Sequence, residues 1–286
     1  MSYQPRASPL HAARAGAASA FCAALVLAVL LTHNPLLLAA LALAVALAAL
    51  GARVGPRVAR SLYLSLPMAL VVALVNAFVS RNGLTVLARF GDWGPLGQVD
   101  PTLEALVYGA IFGAQLALTV AVCALWSAAV DPDELLCSLR RVSFRSALTA
   151  TLATRMVPLL AYDAQRIGEA QRTLRRPAPR TAIVRAVTTN ALDRALDIAA
   201  TLEVRGYGTA GAPRRARVPR SRHDLAFTAA ATAIAALAIV TAALNIAPFD
   251  AYPTLHGALS TRQLLIGAVL ILLAAAPFAA RRGTGR

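Results

Sequence analysis

Arginine is the side chain in this sequence with both the numbers and the placing to act on a partner. All 28 basic residues are arginine and none is lysine. A guanidinium stays charged at any working pH and presents a planar fork of donors that fits a carboxylate or a phosphate. Without lysine, the chain lacks the phosphate-gripping side chain of a P-loop, as well as Schiff-base and lysine-base chemistry. If ATP drives this protein, another subunit binds it. The remaining reactive residues form no pattern. Cys22 and Cys123 lie in apolar runs and Cys137 stands alone, so all three read as small buried hydrophobes. His11, His33, His223 and His256 are scattered without ligand spacing, and no HExxH, GxSxG or GxGxxG occurs. The expectation is a chain that binds no metal and no cofactor and has no catalytic residue.

The arginines concentrate between Asp131 and Arg222, a stretch with 17 of them against eight acids. Asp131-Pro132-Asp133-Glu134 is a helix start: an Asp cap, proline in the first turn and acids at the positive end of the helix dipole. Two long amphipathic patterns follow. Leu148, Leu152, Met156, Leu159, Ile167 and Leu174 recur at spacings that suit one helical face. Ile183, Val187, Ala191, Ile198 and Leu202 do the same, and Pro177 and Pro179 separate the two patterns. Helices of about 26–30 residues would each span about 40–45 Å. The second ends in Leu202-Glu203-Val204-Arg205-Gly206-Tyr207, with an arginine in the last turn before a glycine suited to a left-handed cap. Two readings fit such helices. They lie on anionic lipid, or they form a docking platform whose arginines reach acidic grooves on a cytoplasmic partner.

The elements around this region belong to a membrane. The chain is 58% hydrophobic with a mean hydropathy of +0.62, and 14% of it is charged, where soluble domains carry about 25%. Apolar runs predict spans at about Ala15–Leu31, Leu36–Leu50, Leu62–Val79, Leu103–Val130, Leu225–Ile246 and Leu264–Phe278. Arg53, Arg57 and Arg60 fill the loop after the second, and the second ends at Gly51. With the N-terminus inside, 25 of the 28 arginines face the cytoplasm and only Arg81, Arg89 and Arg262 lie outside. Insertion therefore accounts for most of the +15 net charge. Aromatics interleaved with the basic residues, as single-strand binders need, are lacking, and no nucleic acid is expected.

Taken in order, the motifs resemble a family, the T component of energy-coupling-factor transporters (EcfT/CbiQ-like proteins). Asp131-Pro132-Asp133-Glu134-Leu135-Leu136 resembles its Pro-x-Glu-Leu segment and Arg155-Met156-Val157-Pro158 its Arg-x-(Ile/Val)-Pro. Glu169-Ala170-Gln171-Arg172 resembles the approach to its first Ala-Arg-Gly motif, and Leu202 to Tyr207 resembles the second. The resemblance implies two cytoplasmic coupling helices, each docking on one of two ABC-type ATPases that bind the ATP. The membrane part would grip a separate substrate-binding protein, the S component. On that reading Arg205, Glu203 and Gly206 form the second docking motif, while Arg155, Pro158, Ala170 and Gln171 belong to the coupling-helix framework. The first motif departs from the pattern: Thr173-Leu174-Arg175 stands where Ala-Arg-Gly is the rule, so docking there falls to Arg172, Arg175 and Arg176.

The expected fold is thus all-α and polytopic, with about six spans and two long cytoplasmic coupling helices. Residues 1–130 and 223–286 form the membrane part and 131–222 the cytoplasmic layer. The expected function is energy coupling in the import of a vitamin or transition-metal ion across the cell membrane. A conventional ABC permease would need polar residues along a path, and Asn76, Gln115 and Asn245 are the amides in or near spans. A membrane-embedded enzyme would need ionisable groups at membrane depth, and the runs hold essentially none. The arginine split predicts that both termini and residues 131–222 are cytoplasmic. A cysteine placed beside Arg180 is expected to react with an impermeant maleimide only after cells are permeabilised; labelling in intact cells would invert the topology.

Overall fold

Hydrocarbon offers no partner to a backbone N–H or C=O, so a spanning segment must satisfy these groups within itself. The fold meets this demand with helices. A computed structural model describes residues 6–79, 102–139, 144–173, 179–206, 221–246, 249 and 260–279. Ten helices occur among them: α1 Pro9–Ala12, α2 Ala15–Leu31, α3 Pro35–Gly51, α4 Gly55–Val79, α5 Leu103–Ala129, α6 Pro132–Leu139, α7 Phe144–Arg172, α8 Arg180–Val204, α9 Arg222–Ala243 and α10 Thr261–Ala279. Helices α4, α5, α9 and α10 are long and apolar enough to cross a membrane. α2 and α3 are apolar all round but have 17 residues each, a length of about 26 Å. The chain is an all-α polytopic membrane protein, as its composition predicts. It divides into two compact units, Met1–Leu135 with Arg220–Arg286, and Leu136–Pro219.

The first unit is built from parallel and antiparallel pairs that can be read from single contacts. The Arg14 guanidinium meets the Asp224 carboxylate at 3.2 Å, and Phe21 packs edge-on against Phe227 with centroids 5.3 Å apart, so α2 and α9 run in the same direction. Trp126 donates to Ser19 Oγ at 2.9 Å, while Gln115 donates to the carbonyls of Val29 and Thr32 at 3.2 and 2.8 Å, so α5 runs opposite to α2. Gly267 lies on Ala40, and Gly51 lies on the Phe278 ring, so α3 and α10 are parallel. Phe278 also meets Phe21 and Phe227 edge-on, at 6.2 and 5.3 Å, and this aromatic triangle joins α2, α9 and α10. Directions therefore alternate along the six apolar helices. One end of the unit gathers Arg6, Arg14, Arg53, Arg57, Arg60 and Arg222, and Arg262 begins α10 at the other. Arg6 donates to the Arg53 carbonyl, which fixes the N-terminal segment beside the α3–α4 turn.

Several helix ends in this unit are satisfied by side chains or by a closing turn. Ser221 and Asp224 form a reciprocal capping box on α9. Asp131 Oδ1 accepts from the Asp133 N–H at 2.9 Å, so the predicted Asp-Pro start of α6 is present. The Gln115 amide reaches carbonyls left over at the end of α2. At the end of α3 the left-handed residue is Arg53 (φ 58°), not Gly51. The Val54 and Arg53 N–H groups return to Ala49 and Leu50, which closes a Schellman turn. Gly51 stays helical and has another use, leaving room for the Phe278 ring.

Several expectations need correcting. Arg57 and Arg60 are not in a loop: α4 begins at Gly55, because Pro56 suits a first turn, and both arginines lie in its opening turns. Cys22 is buried, but Cys123 is exposed on the protein surface; in a bilayer a lipid-facing thiol needs no protein cover. The side chain of Cys137 lies outside the described residues. The polar N-terminal segment contains the short helix α1, whose Leu10 is fully buried.

The α4–α5 contact relies on two glycines. A Cβ on Gly109 would stand 2.4 Å from the Ala73 carbonyl oxygen, and one on Gly113 would stand 2.6 Å from that of Ala69. Gly109-x-x-x-Gly113 is the small-residue spacing that lets two membrane helices approach closely. Gly109→Val and Gly113→Val are each expected to destabilise the folded protein by about 1–3 kcal/mol, seen as a lower midpoint of thermal unfolding in detergent. Gly16→Ala meets nothing within 4 Å and is the control that should leave the midpoint in place.

Candidate partner-docking site

The second unit is carried by α7 and α8, of 29 and 25 residues. Each shields one stripe and exposes the rest. On α8 the shielded stripe is Ile183, Val187, Ala191, Ile198 and Leu202, as the spacing predicts. On α7 it is Leu148, Leu152, Met156, Leu160, Ala164 and Ile167, and Leu159 is 38% exposed. Leu160 takes the place expected for Leu159, because a 3.6-residue period from Met156 passes through Leu160 and Asp163. Asp163 is 5% exposed and accepts from Arg194 Nη1 of α8 at 3.2 Å. Neither residue stood out in the sequence; an acid at a core position of an amphipathic stripe was the available signal.

The second predicted motif sits at the C-terminal end of α8. Arg205 is the C-cap residue, and its N–H returns to Thr201 at 3.2 Å. Gly206 adopts φ 79° and donates to the Glu203 carbonyl at 2.8 Å. A left-handed turn is where glycine has no steric cost, so it stops the helix and leaves Arg205 at the tip. Glu203 and Arg205 are exposed, and Val204 between them is 90% exposed. Arg205 suits the negative end of the helix dipole, whereas Glu203 opposes it and Val204 gains nothing from water. Helix stability alone explains the arginine and the glycine but not their two neighbours.

The first motif begins at the C-terminal end of α7. Arg172 is its last residue and is exposed, as is Ala170, whose carbonyl accepts from the Thr173 hydroxyl at 2.7 Å. Gln171 points inward, with its Oε1 shielded from solvent. Leu174, Arg175 and Arg176 lie outside the described residues. Arg155 is exposed on α7. Pro158 is inside the same helix, where its missing N–H leaves the Thr154 carbonyl without its helical donor.

The two motifs are thus not brought together. Both occupy C-terminal ends of long helices, and with Asp163 against Arg194 the nine residues to Arg172 and the eleven to Arg205 put about 30 Å between them. One cationic site split over that distance could not close on a single small ligand. Two separate contacts with large partners could use it. Exposed apolar side chains that sequence reasoning missed accompany them: Val184, Leu192 and Leu196 on α8 are 62–66% exposed, and Val157 and Tyr162 on α7 are 65% and 62% exposed. Among the described residues no group of three His, Cys, Asp or Glu side chains could hold a metal ion.

Comparison with protein families gives a match over most of the chain. The family described as CbiQ, cobalt transport protein, matches residues 6–217, which include every candidate site residue; α9 and α10 lie beyond it. No curated protein matches the chain. The local geometry makes a prediction of its own. Gly206→Ala places a Cβ in the left-handed region at a cost of about 1–2 kcal/mol, and is expected to speed amide hydrogen exchange in the last turn of α8 while leaving α7 unchanged. Equal exchange in both proteins would mean that the turn does not depend on glycine.

Proposed function

The chain belongs to the CbiQ cobalt transport protein family, the T components of energy-coupling-factor transporters, and on that premise we propose that it couples ATP hydrolysis by partner subunits to import of a micronutrient. In this reading Arg205 docks on one ABC-type ATPase. Arg172, with Arg175 and Arg176, docks on a second, in place of the family's first motif. A separate membrane protein, the S component, selects the substrate, a vitamin or a transition-metal ion. The ATPases bind the ATP; this chain binds no cofactor. Closure of the ATPase pair moves α7 and α8, and that movement reorients the substrate-binding protein.

The observation that carries the proposal is the placing of the two arginine ends, solvent-facing and about 30 Å apart along the α7–α8 pair. Two partners fit that spacing better than one. The pairing of Arg205 with exposed Val204 suits a groove that is acidic at its mouth and apolar within. Orientation follows the charge: the arginine-rich end of the membrane unit faces the cytoplasm, together with both termini and residues 131–222. A permease path through this chain is disfavoured because the two amides within its spans are otherwise engaged and the third lies in a turn beyond α9. Gln115 serves the end of α2, and Asn76 donates to its own helix at the Val72 carbonyl. Asn245 adopts φ 46° in the turn that ends α9.

Two variants test the proposal in the chain co-produced with the ABC-type ATPases and the substrate-binding membrane protein of its own cell. Arg205→Ala is expected to insert normally and to lose ATPase co-purification and uptake, since losing a buried charge-assisted contact costs about 2–5 kcal/mol. Reversal of Arg172, Arg175 and Arg176 to Glu is expected to release one of the two ATPases. If Arg205 only caps α8, its loss costs less than about 1 kcal/mol, and normal uptake by the variant would overturn the docking role. ATP turnover by the isolated chain, free of contaminants, would do the same for the coupling role.

A further inference from the structure

The seam between α7 and α8 combines small and aliphatic residues with one buried charge. Ala182, Ala186, Ala191 and Ala164 line it beside Ile183, Val187, Ile198 and Leu202. Such a surface grips weakly along the helix axis, because one alanine stripe resembles itself a turn further on. Asp163 breaks that sameness. It is the buried charged residue of this unit among the described residues, and Arg194 is its partner across the seam. A well-packed apolar pair would usually stabilise such a contact as well or better, and the best-attested use of a polar pair in its place is to specify register.

We propose that Asp163 and Arg194 form a register pin that makes α7 and α8 move as one body. A slip of one helical turn is about 5.4 Å. It would carry the Asp163 carboxylate away from the guanidinium while leaving it buried, which is the costly arrangement for a charge. The pin stands between the two docking ends, nine residues before Arg172 and eleven before Arg205. In the chain that includes those ends, a push on Arg205 therefore shifts Arg172 instead of sliding α8 along α7. Both residues are positioning residues; neither has to touch a partner or ATP. The inference rests on the coupling role proposed above for its consequence, but the pinning itself is a property of this chain.

The test uses both levels. On the full-length protein, with its cysteines replaced, nitroxides at exposed Ala153 and Ala199 report the α7–α8 distance by pulsed electron resonance. A single narrow distribution is expected for the parent. Asp163→Asn and Arg194→Gln should broaden or split it, and the charge swap D163R/R194D should narrow it again. In the assembled complex, ATP hydrolysis and uptake of radiolabelled cobalt are measured together. Each single variant is expected to keep its ATPases and its hydrolysis while uptake per ATP falls at least about tenfold, with recovery in the swap, because the pairing across the seam sets the register. A third variant, with leucine at both positions, keeps the seam filled if the single variants fail to fold. Its distribution should be broad and its uptake per ATP low. A narrow distribution in Asp163→Asn, or a leucine pair that couples normally, would overturn the pin. A parent complex that brings down no ATPase would instead overturn the coupling role and leave the distance measurement to judge the pin.

Discussion

The Asp224 carboxylate is the contact on which the membrane unit turns. It accepts from the Ser221 N–H at 2.9 Å, from the Arg14 N–H at 2.7 Å and from the Arg14 guanidinium at 3.2 Å. It therefore serves as the cap of α9 and the anchor of α2. A carboxylate with 7% of its side chain exposed is tolerable only because all these donors converge on it. Just below it the Phe21, Phe227 and Phe278 rings meet, so polar convergence at the surface aligns an apolar convergence one turn deeper. Removing either Arg14 or Asp224 would strand the other and loosen the start of two helices at once.

What was legible in the sequence was set by solvent. Six apolar runs mark six apolar helices because hydrocarbon makes length and hydropathy obligatory, and Gly206 marks the end of α8 because a left-handed turn has few other candidates. The family resemblance was legible in ordered motifs that fall within the matched residues. Reading failed where several residues could satisfy the same rule. Arg57 and Arg60 looked like loop residues because they are charged, but the first turns of a helix at a membrane surface welcome long charged side chains. Gly51 ends α3 as expected, while its missing side chain makes room for the Phe278 ring and Arg53 takes the left-handed position. Leu159 and Leu160 are adjacent leucines, and only the neighbouring helix decides between them.

The candidate site was harder to see than the fold for a related reason. Arg205 and Arg172 could be named from a pattern, but their separation required knowing that each closes a long helix and that the chain turns between them. Glu203 and Val204 became informative only as exposed residues that a free helix would not choose. The Asp163–Arg194 contact spans 31 residues, and no local spacing rule reaches that far. The first motif remains identified by its residues alone, since Leu174, Arg175 and Arg176 fall outside the described residues.

The order of helices along the chain has a consequence for synthesis. Arg14 and Asp224 are 210 residues apart, and at ordinary elongation rates of about 5–20 residues per second α2 is made roughly 10–40 s before its partner α9. During that interval Phe21, Leu25 and their neighbours face lipid or the insertion machinery, while the whole arginine-rich layer is still emerging from the ribosome. A nascent chain halted anywhere in that layer leaves the membrane with four helices and an incomplete core. Arg14 would then lack the carboxylate that ties the start of α2 to α9, and the membrane unit would stay open at the end where its arginines gather.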